Sequence, residues 1–314
     1  MKSSPPLVVL VLGGVAERED CPDDASPLAL AATPHLDRLA REGRVLRVRL
    51  VDDDALATTA APFLALLGVD PAGAETSVAS YLCTLAVLPL AAEECFVGAA
   101  FLSLFRDEVA DIEPDLRPTE REVLVKDTAQ AVARAGFRLH AGAPIAVAPR
   151  ASVDPAAPHP EAMLGASIDA FEPGRPQHAF AHRLARQALD GHEVNEVRRD
   201  LGGNGADALW MWGPGGPARL DPPSDDRAST VGTDPAWRAV CAAAGLLLRA
   251  PQATTPPQMV KAVANALKRD AIVYLHVRRG VRDAHLRDLR RRAEGVAALD
   301  RHIVGPVAKA AADA

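Results

Sequence analysis

Few cysteines, no surplus of basic charge and no long apolar run are the first features of this 314-residue chain. The four cysteines, Cys21, Cys83, Cys95 and Cys241, are widely spaced, with no CxxC or CxH pairing. They supply neither a disulfide framework nor a zinc knuckle, and read as reduced, mostly buried thiols. Thirty-five Lys and Arg against forty-one Asp and Glu leave a formal charge of -6, so nucleic acid is not an expected partner. No stretch approaches the ~20 apolar residues of a membrane span. There is no GxSxG elbow, and Gly213-Pro214-Gly215-Gly216 lacks the lysine and helix start of a phosphate loop, so it reads as a tight turn. What is present, 48% apolar and 24% charged residues with mean hydropathy near zero, fits a globular chain of one large domain or two.

Leu7 to Leu12, followed by Gly13-Gly14, has two readings. With Lys2 ahead of it, it has the length of a signal-peptide apolar region. It is also the pattern of a strand buried on both faces that ends in a loop at the carboxyl edge of a parallel sheet. The strand is the expected reading, and the cytoplasm the expected compartment. Ala25 to Ala32 reads as a short helix, and Thr33-Pro34 places a cap ahead of a first-turn proline for a helix over His35–Glu42, stopped by Gly43. Val45–Val51 reads as a second strand, Asp52-Asp53-Asp54 as a polar loop, and Ala60–Gly68 as a buried helix.

From about Leu85 to His182 the texture changes to short apolar runs broken by Pro and Gly, with one amphipathic helix over Thr119–Ala135. Helix signals return at Ala179–Asp190. Ala208–Trp212 is a short strand at which the outer segment resumes. Pro235–Leu248 and Pro257–Lys268 read as helices, Ala271–Val277 as a strand, and Leu286–Ile303 as a charged helix. Arg287, Arg290, Arg291 and Arg292 form a basic stripe on it, the pattern of a solvated face, with an acidic partner or an anion as the alternative. Alternating strands and helices at both ends predict a doubly wound α/β core with a mostly parallel sheet over 1–84 and 183–314, carrying an inserted smaller α+β domain over 85–182.

Three segments resemble the archaeal-type cofactor-independent phosphoglycerate mutases of the alkaline phosphatase superfamily. Thr33-Pro34-His35-Leu36-Asp37-Arg38-Leu39-Ala40-Arg41-Glu42-Gly43 is similar to the TPxLDxLAxxG helix. Leu64 to Pro71 is similar to LSLLGYDP. His192-Glu193-Val194-Asn195, Arg198-Arg199, Gly202 and Ala208–Gly213 are similar to the HPxN, RR, G and WLWG run. Phe137 to Gly142, Asp270–Val277 and Leu299–Pro306 are weaker echoes, so the resemblance spans residues 7 to 306. It implies an alkaline-phosphatase-like fold and an isomerase of glycolysis that moves a phosphoryl group from 3-phosphoglycerate to 2-phosphoglycerate through a phosphoserine. Two divalent ions (Mn, Zn or Mg) held by carboxylates and histidines clamp the phosphate in that family.

Carried over position by position, that machinery is largely missing. The first ligand, an aspartate ending strand one, is Gly13. Glu17, Asp20, Asp23 and Asp24 are nearby acids that read as a solvated face. Thr59 stands at the nucleophile, a residue that also serves as nucleophile elsewhere in the superfamily, and Thr58-Thr59 also reads as a helix cap. The residues after it, Ala60 and Phe63, are apolar where the family has aspartate and histidine. His285 matches a metal histidine, but Val281 replaces its aspartate partner and Asp283 is two positions off. The last ligand pair is expected beyond the IVGP segment, and the sequence ends at Ala314. Substrate-binding arginine and asparagine fall near Gly98 and Ala100, and a tyrosine-arginine near Pro144-Ile145-Ala146. The expected reading is a catalytically inactive homologue without a cofactor, acting through a protein partner or as a homo-oligomer, with no membrane. The alternative is an active mutase or phosphohydrolase rebuilt around Thr59, His285 and acids such as Asp52 to Asp54. A small-molecule sensor using the vacated pocket is a third.

Overall fold

The computed structural model describes residues 5–15, 26–51, 59–86, 89–221, 227–278 and 289–314. Contacts group the chain into two units, Met1–Arg49 with Leu220–Ala314, and Leu50–Arg219.

The first unit is built on a parallel sheet. Strand β1 (Leu7–Leu12) is followed by α1 (Pro27–Leu30) and α2 (Pro34–Glu42). In the second unit come α3 (Ala61–Leu66), α4 (Val78–Ala86), β2 (Glu94–Phe105), β3 (Glu108–Ile112), α5 (Pro118–Ala133), β4 (Arg138–Leu139), β5 (Ile145–Pro149), α6 (Pro176–Leu189), α7 (Glu193–Asp200) and β6 (Ala208–Gly215). The first unit then closes with β7 (Ala228–Gly232), α8 (Pro235–Ala243), β8 (Leu247–Leu248), α9 (Pro256–Ala266), β9 (Ile272–Val277), α10 (Leu289–Leu299), a π-helical turn over Asp300–Val304, and α11 (Gly305–Ala312).

Sheet order in the first unit is β1-β9-β7-β8, and every pairing is parallel. Alternation along β9 explains the layers. Val273, Leu275 and Val277 join Val263, Val296, Ile303 and Val307 in a core beneath α9, α10 and α11, while Tyr274 and His276 face the Trp237 ring of α8. Thr255 caps α9, with Gln258 Oε1 accepting from Thr254 N and Thr255 N at 3.1 Å each.

Three expectations for these segments need correction. β1 forms as expected, but at an edge among the described residues: its side chains are only half-buried and Leu7 is 55% exposed. Val45–Val51 has strand composition but no strand pairing among the described residues, with Val45, Leu46 and Val48 all exposed. Alternation makes a segment fit to pair, whereas pairing itself depends on tertiary partners. The helix read over Pro235–Leu248 also stops early, because Gly245 turns the chain at φ +77° into β8.

The motif residues of α2 hold this unit together over a long sequence distance. Thr33 stands at the N-cap position but bonds to Asp37 Oδ1 (3.0 Å) rather than to the helix backbone. The orphan N–H groups of His35 and Leu36 donate instead to the Asp300 carboxylate, at 3.1 and 2.8 Å. Asp300 is only 1% exposed. His35 in turn packs on Gly305, where a Cβ would lie 2.5 Å from Nε2. The TPxLD-like and IVGP-like segments are therefore one contact.

The second unit is an antiparallel sheet around the long strand β2. β6 lies on one side of β2, β3 and β5 lie on the other, and β4 lies beyond β5. Alternate residues Cys95, Val97, Ala99 and Phe101 join the core beneath α5 and α6, and Leu102 joins Ala208 and Trp210 on the opposite face. Ala208–Trp212 thus pairs with β2, not with the parallel sheet expected to resume there: Gly98 faces Trp212 and Leu102 faces Ala208. An apolar run identifies a buried strand without naming its sheet. By contacts, residues 50–84 and 183–219 of the expected outer segments group with the middle of the chain.

Candidate functional site

Ligand sites in parallel α/β sheets form at the carboxyl ends of the strands. In the first unit the ends of the three longer strands are Gly13-Gly14 after β1, Gly232-Thr233-Asp234 at the end of β7, and His276-Val277-Arg278 closing β9. Gly13 offers no side chain, and its N–H extends the sheet by donating to Val277 O at 3.0 Å.

The groups gathered here are Asp234, His276 and Arg278. Asp234 caps α8 by accepting from Trp237 N at 2.8 Å, and its other oxygen meets Arg278 Nη1 at 3.2 Å. Both carboxylate oxygens of this nearly buried side chain are therefore engaged, as a buried ion pair requires. His276 is 5% exposed with its ring 5.4 Å from Trp237. Burial holds its pKa below the ordinary histidine value; the Asp234 charge pulls it up and Arg278 pushes it down. The arrangement is a neutral imidazole beside a satisfied ion pair, which orders the strand ends but presents no set of hard oxygen ligands. Sequence reasoning noted His276 only as part of an echo and missed Asp234 and Arg278. The available signal was an aspartate before Pro235, a cap placed directly after a strand.

In the second unit, Thr59 precedes α3. Its Oγ1 accepts from Ala61 N at 3.1 Å, a local bond of the kind a helix-cap residue makes. Ala60 and Ala61 are fully buried, and Ala60 N donates to Thr76 O at 2.9 Å. His285, Val281, Asp283, Thr58, the acids Glu17 to Asp24 and Asp52 to Asp54 lie outside the described residues. Among the described residues, no three His, Cys, Asp or Glu side chains gather as a metal-holding group.

The positions aligned with substrate binding are packed shut. A Cβ on Gly98 would stand 2.8 Å from Cε2 and Cζ2 of Trp212, so an arginine has no room there. Ala100 is 3% exposed opposite Trp210, and Ile145 and Ala146 are fully buried in β5. Donor sets at Gly13, Ala60 and Gly98 therefore do not fit a metal-clamped phosphate.

The motif with the closest spacing is spent on structure. His192 caps α7 through Nδ1, accepting from Val194 N at 3.2 Å. Asn195, fully buried, donates to Leu189 O and Ala206 O and accepts from Ala206 N at 2.9 Å. Arg198 reaches Asn204 O and Glu120, and Arg199 pairs with Asp207. Together they fasten α7 to the entry of β6.

No family model matches the chain. A curated relative, the 2,3-bisphosphoglycerate-independent phosphoglycerate mutase of Methanothrix thermoacetophila, is 25% identical over 324 residues, spanning 96% of this chain and 80% of that protein. Among solved structures, the PH0037 protein from Pyrococcus horikoshii superposes with a TM-score of 0.58 at 19% identity, covering 97% of this chain and 78% of its own. The cofactor-independent phosphoglycerate mutase of Thermoplasma acidophilum superposes with a TM-score of 0.50 at 15% identity, covering 97% and 84%. The chain shares the mixed α/β fold of these proteins. No described helix is long and apolar enough to cross a membrane.

Proposed function

We propose that this chain is a degenerate relative of the cofactor-independent phosphoglycerate mutases that keeps their scaffold without their chemistry and works through a protein partner or a second copy of itself. The observation that carries the reading is the end of β1. A phosphoryl-transfer site of this class needs a carboxylate there to hold a cation, and the chain has Gly13, which carries no side chain and whose N–H donates to Val277 O. The closed packing of Gly98 against Trp212 supports it from the substrate side.

A partner role draws support from β1 itself. In a parallel pair, alternate N–H and C=O groups of a strand point to each side, so those of Val8, Leu10 and Leu12 point away from β9. An uncharged apolar strand with one side unpaired among the described residues is a template for another strand. Exposed Val45, Leu46 and Val48 add apolar surface to the same unit. Turnover of 3-phosphoglycerate with manganese present tests the proposal: no activity above buffer is the expected result. Activity abolished by Thr59→Ala would replace this reading with that of a working mutase rebuilt around Thr59.

A further inference from the structure

After β8 the chain turns at Arg249 and Ala250. Arg249 N donates to Thr230 O at 2.8 Å, and its guanidinium grips the Asp270 carboxylate through Nε (3.0 Å) and Nη2 (2.8 Å). The Asp270 side chain is wholly buried, so this grip fixes the plane of the guanidinium. It leaves Nη1 without a hydrogen bond among the described residues. Ala250 holds φ +43°, a left-handed conformation unfavourable for an alanine. An observed backbone outlier of this kind is a pointer to function.

These two residues face the last turns of α9 across a cavity of about 410 Å³, lined by Arg249, Ala250, Ala262, Asn265, Ala266, Lys268 and Arg269. That volume lies in the range of small-molecule sites, roughly 300–1,000 Å³. Three cationic side chains line it, and the one carboxylate beside them, Asp270, is already committed to Arg249. Neither Lys268 nor Arg269 makes an ion pair among the described residues. Ala250, Ala262 and Ala266 form an apolar wall, and Asn265 adds a donor and an acceptor. The cavity lies beside the amino end of β9, with Asp234 and Arg278 at the strand's other end.

We propose that this cavity binds a small organic phosphate of about nucleoside monophosphate size, its dianion held by Lys268, Arg269 and the outer edge of Arg249, and its carbon-bearing body against the alanine wall. A planar, pre-oriented guanidinium flanked by two further cations suits a phosphate dianion, and the volume exceeds what inorganic phosphate fills. The site is separate from the strand-end site and from the silent-scaffold reading, and stands or falls without it.

The test is calorimetric titration of the full chain with AMP at low ionic strength, with inorganic phosphate and adenosine as comparison arms. Saturable AMP binding is expected, at least tenfold tighter than either comparison and weakened by added salt. Lys268→Ala with Arg269→Ala, both at exposed positions, is expected to weaken AMP at least tenfold while leaving the circular dichroism spectrum unchanged. Four outcomes would each overturn the proposal: no AMP binding at millimolar concentration, an unchanged isotherm in the double variant, adenosine binding as tightly as AMP, or phosphate binding as tightly as AMP. The last two would remove the role of the charge and of the organic body in turn.

Discussion

Lowering the pH should loosen the second unit through a pair of histidines buried in α6. His178 is fully buried; its Nδ1 accepts from Asp154 N at 3.1 Å, and its ring stacks 5.5 Å from Phe137. His182, one helical turn on, accepts from Met211 N at 3.1 Å, and its ring lies 4.6 Å from His178 and 4.3 Å from Trp210. Burial depresses the His178 pKa from 6.5 to about 4, partly offset by the nearby Asp154 charge. Burial also lowers that of His182, and a charge on His178 lowers it further. The unfolded chain therefore takes up protons that the folded chain refuses. Stability is full above the unfolded value of 6.5 and falls as the pH drops toward 4. With one pKa unit worth about 1.4 kcal/mol, His178 alone removes about 2 kcal/mol by pH 5 and about 3 kcal/mol by pH 4, with His182 adding in the same direction. Asp154, held below its ordinary value chiefly by the Ala156 N–H, stays charged across that window.

The assay is urea denaturation followed by tryptophan fluorescence at several pH values between 7.5 and 4.5. His178→Phe keeps a ring against Phe137 and gives up the Asp154 bond, a loss of about 1 kcal/mol at neutral pH. Its stability should then decline with acid by about 2 kcal/mol less than that of the parent chain at pH 5. Parallel curves for parent and variant would refute the reasoning, as would a parent stability that stays level between pH 7 and pH 5.

Three further outcomes follow from the packing. Asp300→Ala removes the acceptor for His35 N and Leu36 N and should cost about 1–2 kcal/mol in thermal or urea unfolding, with Asp300→Asn losing less; an unchanged midpoint would contradict the capping role. Gly98→Ala forces a Cβ toward the Trp212 ring and should destabilise by roughly 1–3 kcal/mol, with a change in the near-ultraviolet tryptophan signal; a neutral effect would show that the strand position is not closed. Val8→Pro deletes an N–H on the unpaired side of β1 and should reduce any self-association seen by light scattering while keeping the parallel sheet; association that persists unchanged would exclude that edge as its route.

Much of the fold was legible because local signals and burial agree. β1 and β9 are uncharged apolar runs between turn signals, α9 opens on Thr255 and prolines, and α5 alternates at helical spacing, so each forms within a few residues of its expected bounds. Pairing was less legible. Nothing in Ala208–Trp212 says that its neighbour is an antiparallel strand more than a hundred residues earlier, and Val45–Val51 has the composition of a strand without its partner. The Asp300 bridge to α2 spans 264 residues to Leu36, beyond the reach of any periodicity. At the candidate site, the absence of a carboxylate or imidazole at Gly13, Ala60 and Phe63 was readable from residue type alone. The roles of Asp234, His276 and Arg278 were not, because an aspartate before a proline and a histidine in a strand look ordinary until the strand ends meet. His178 and His182 escaped notice likewise: α6 buries residues around much of its circumference, and a histidine in a helical pattern does not reveal that.

A chain without ligands to seat two cations around a phosphate should not retain them. Metal analysis of the full chain, equilibrated with excess manganese or zinc and then freed of unbound ion, tests this most directly. Metal well below one equivalent per chain, unaffected by Thr59→Ala, is the expected result; two equivalents retained by the parent chain and lost with that substitution would overturn the proposal.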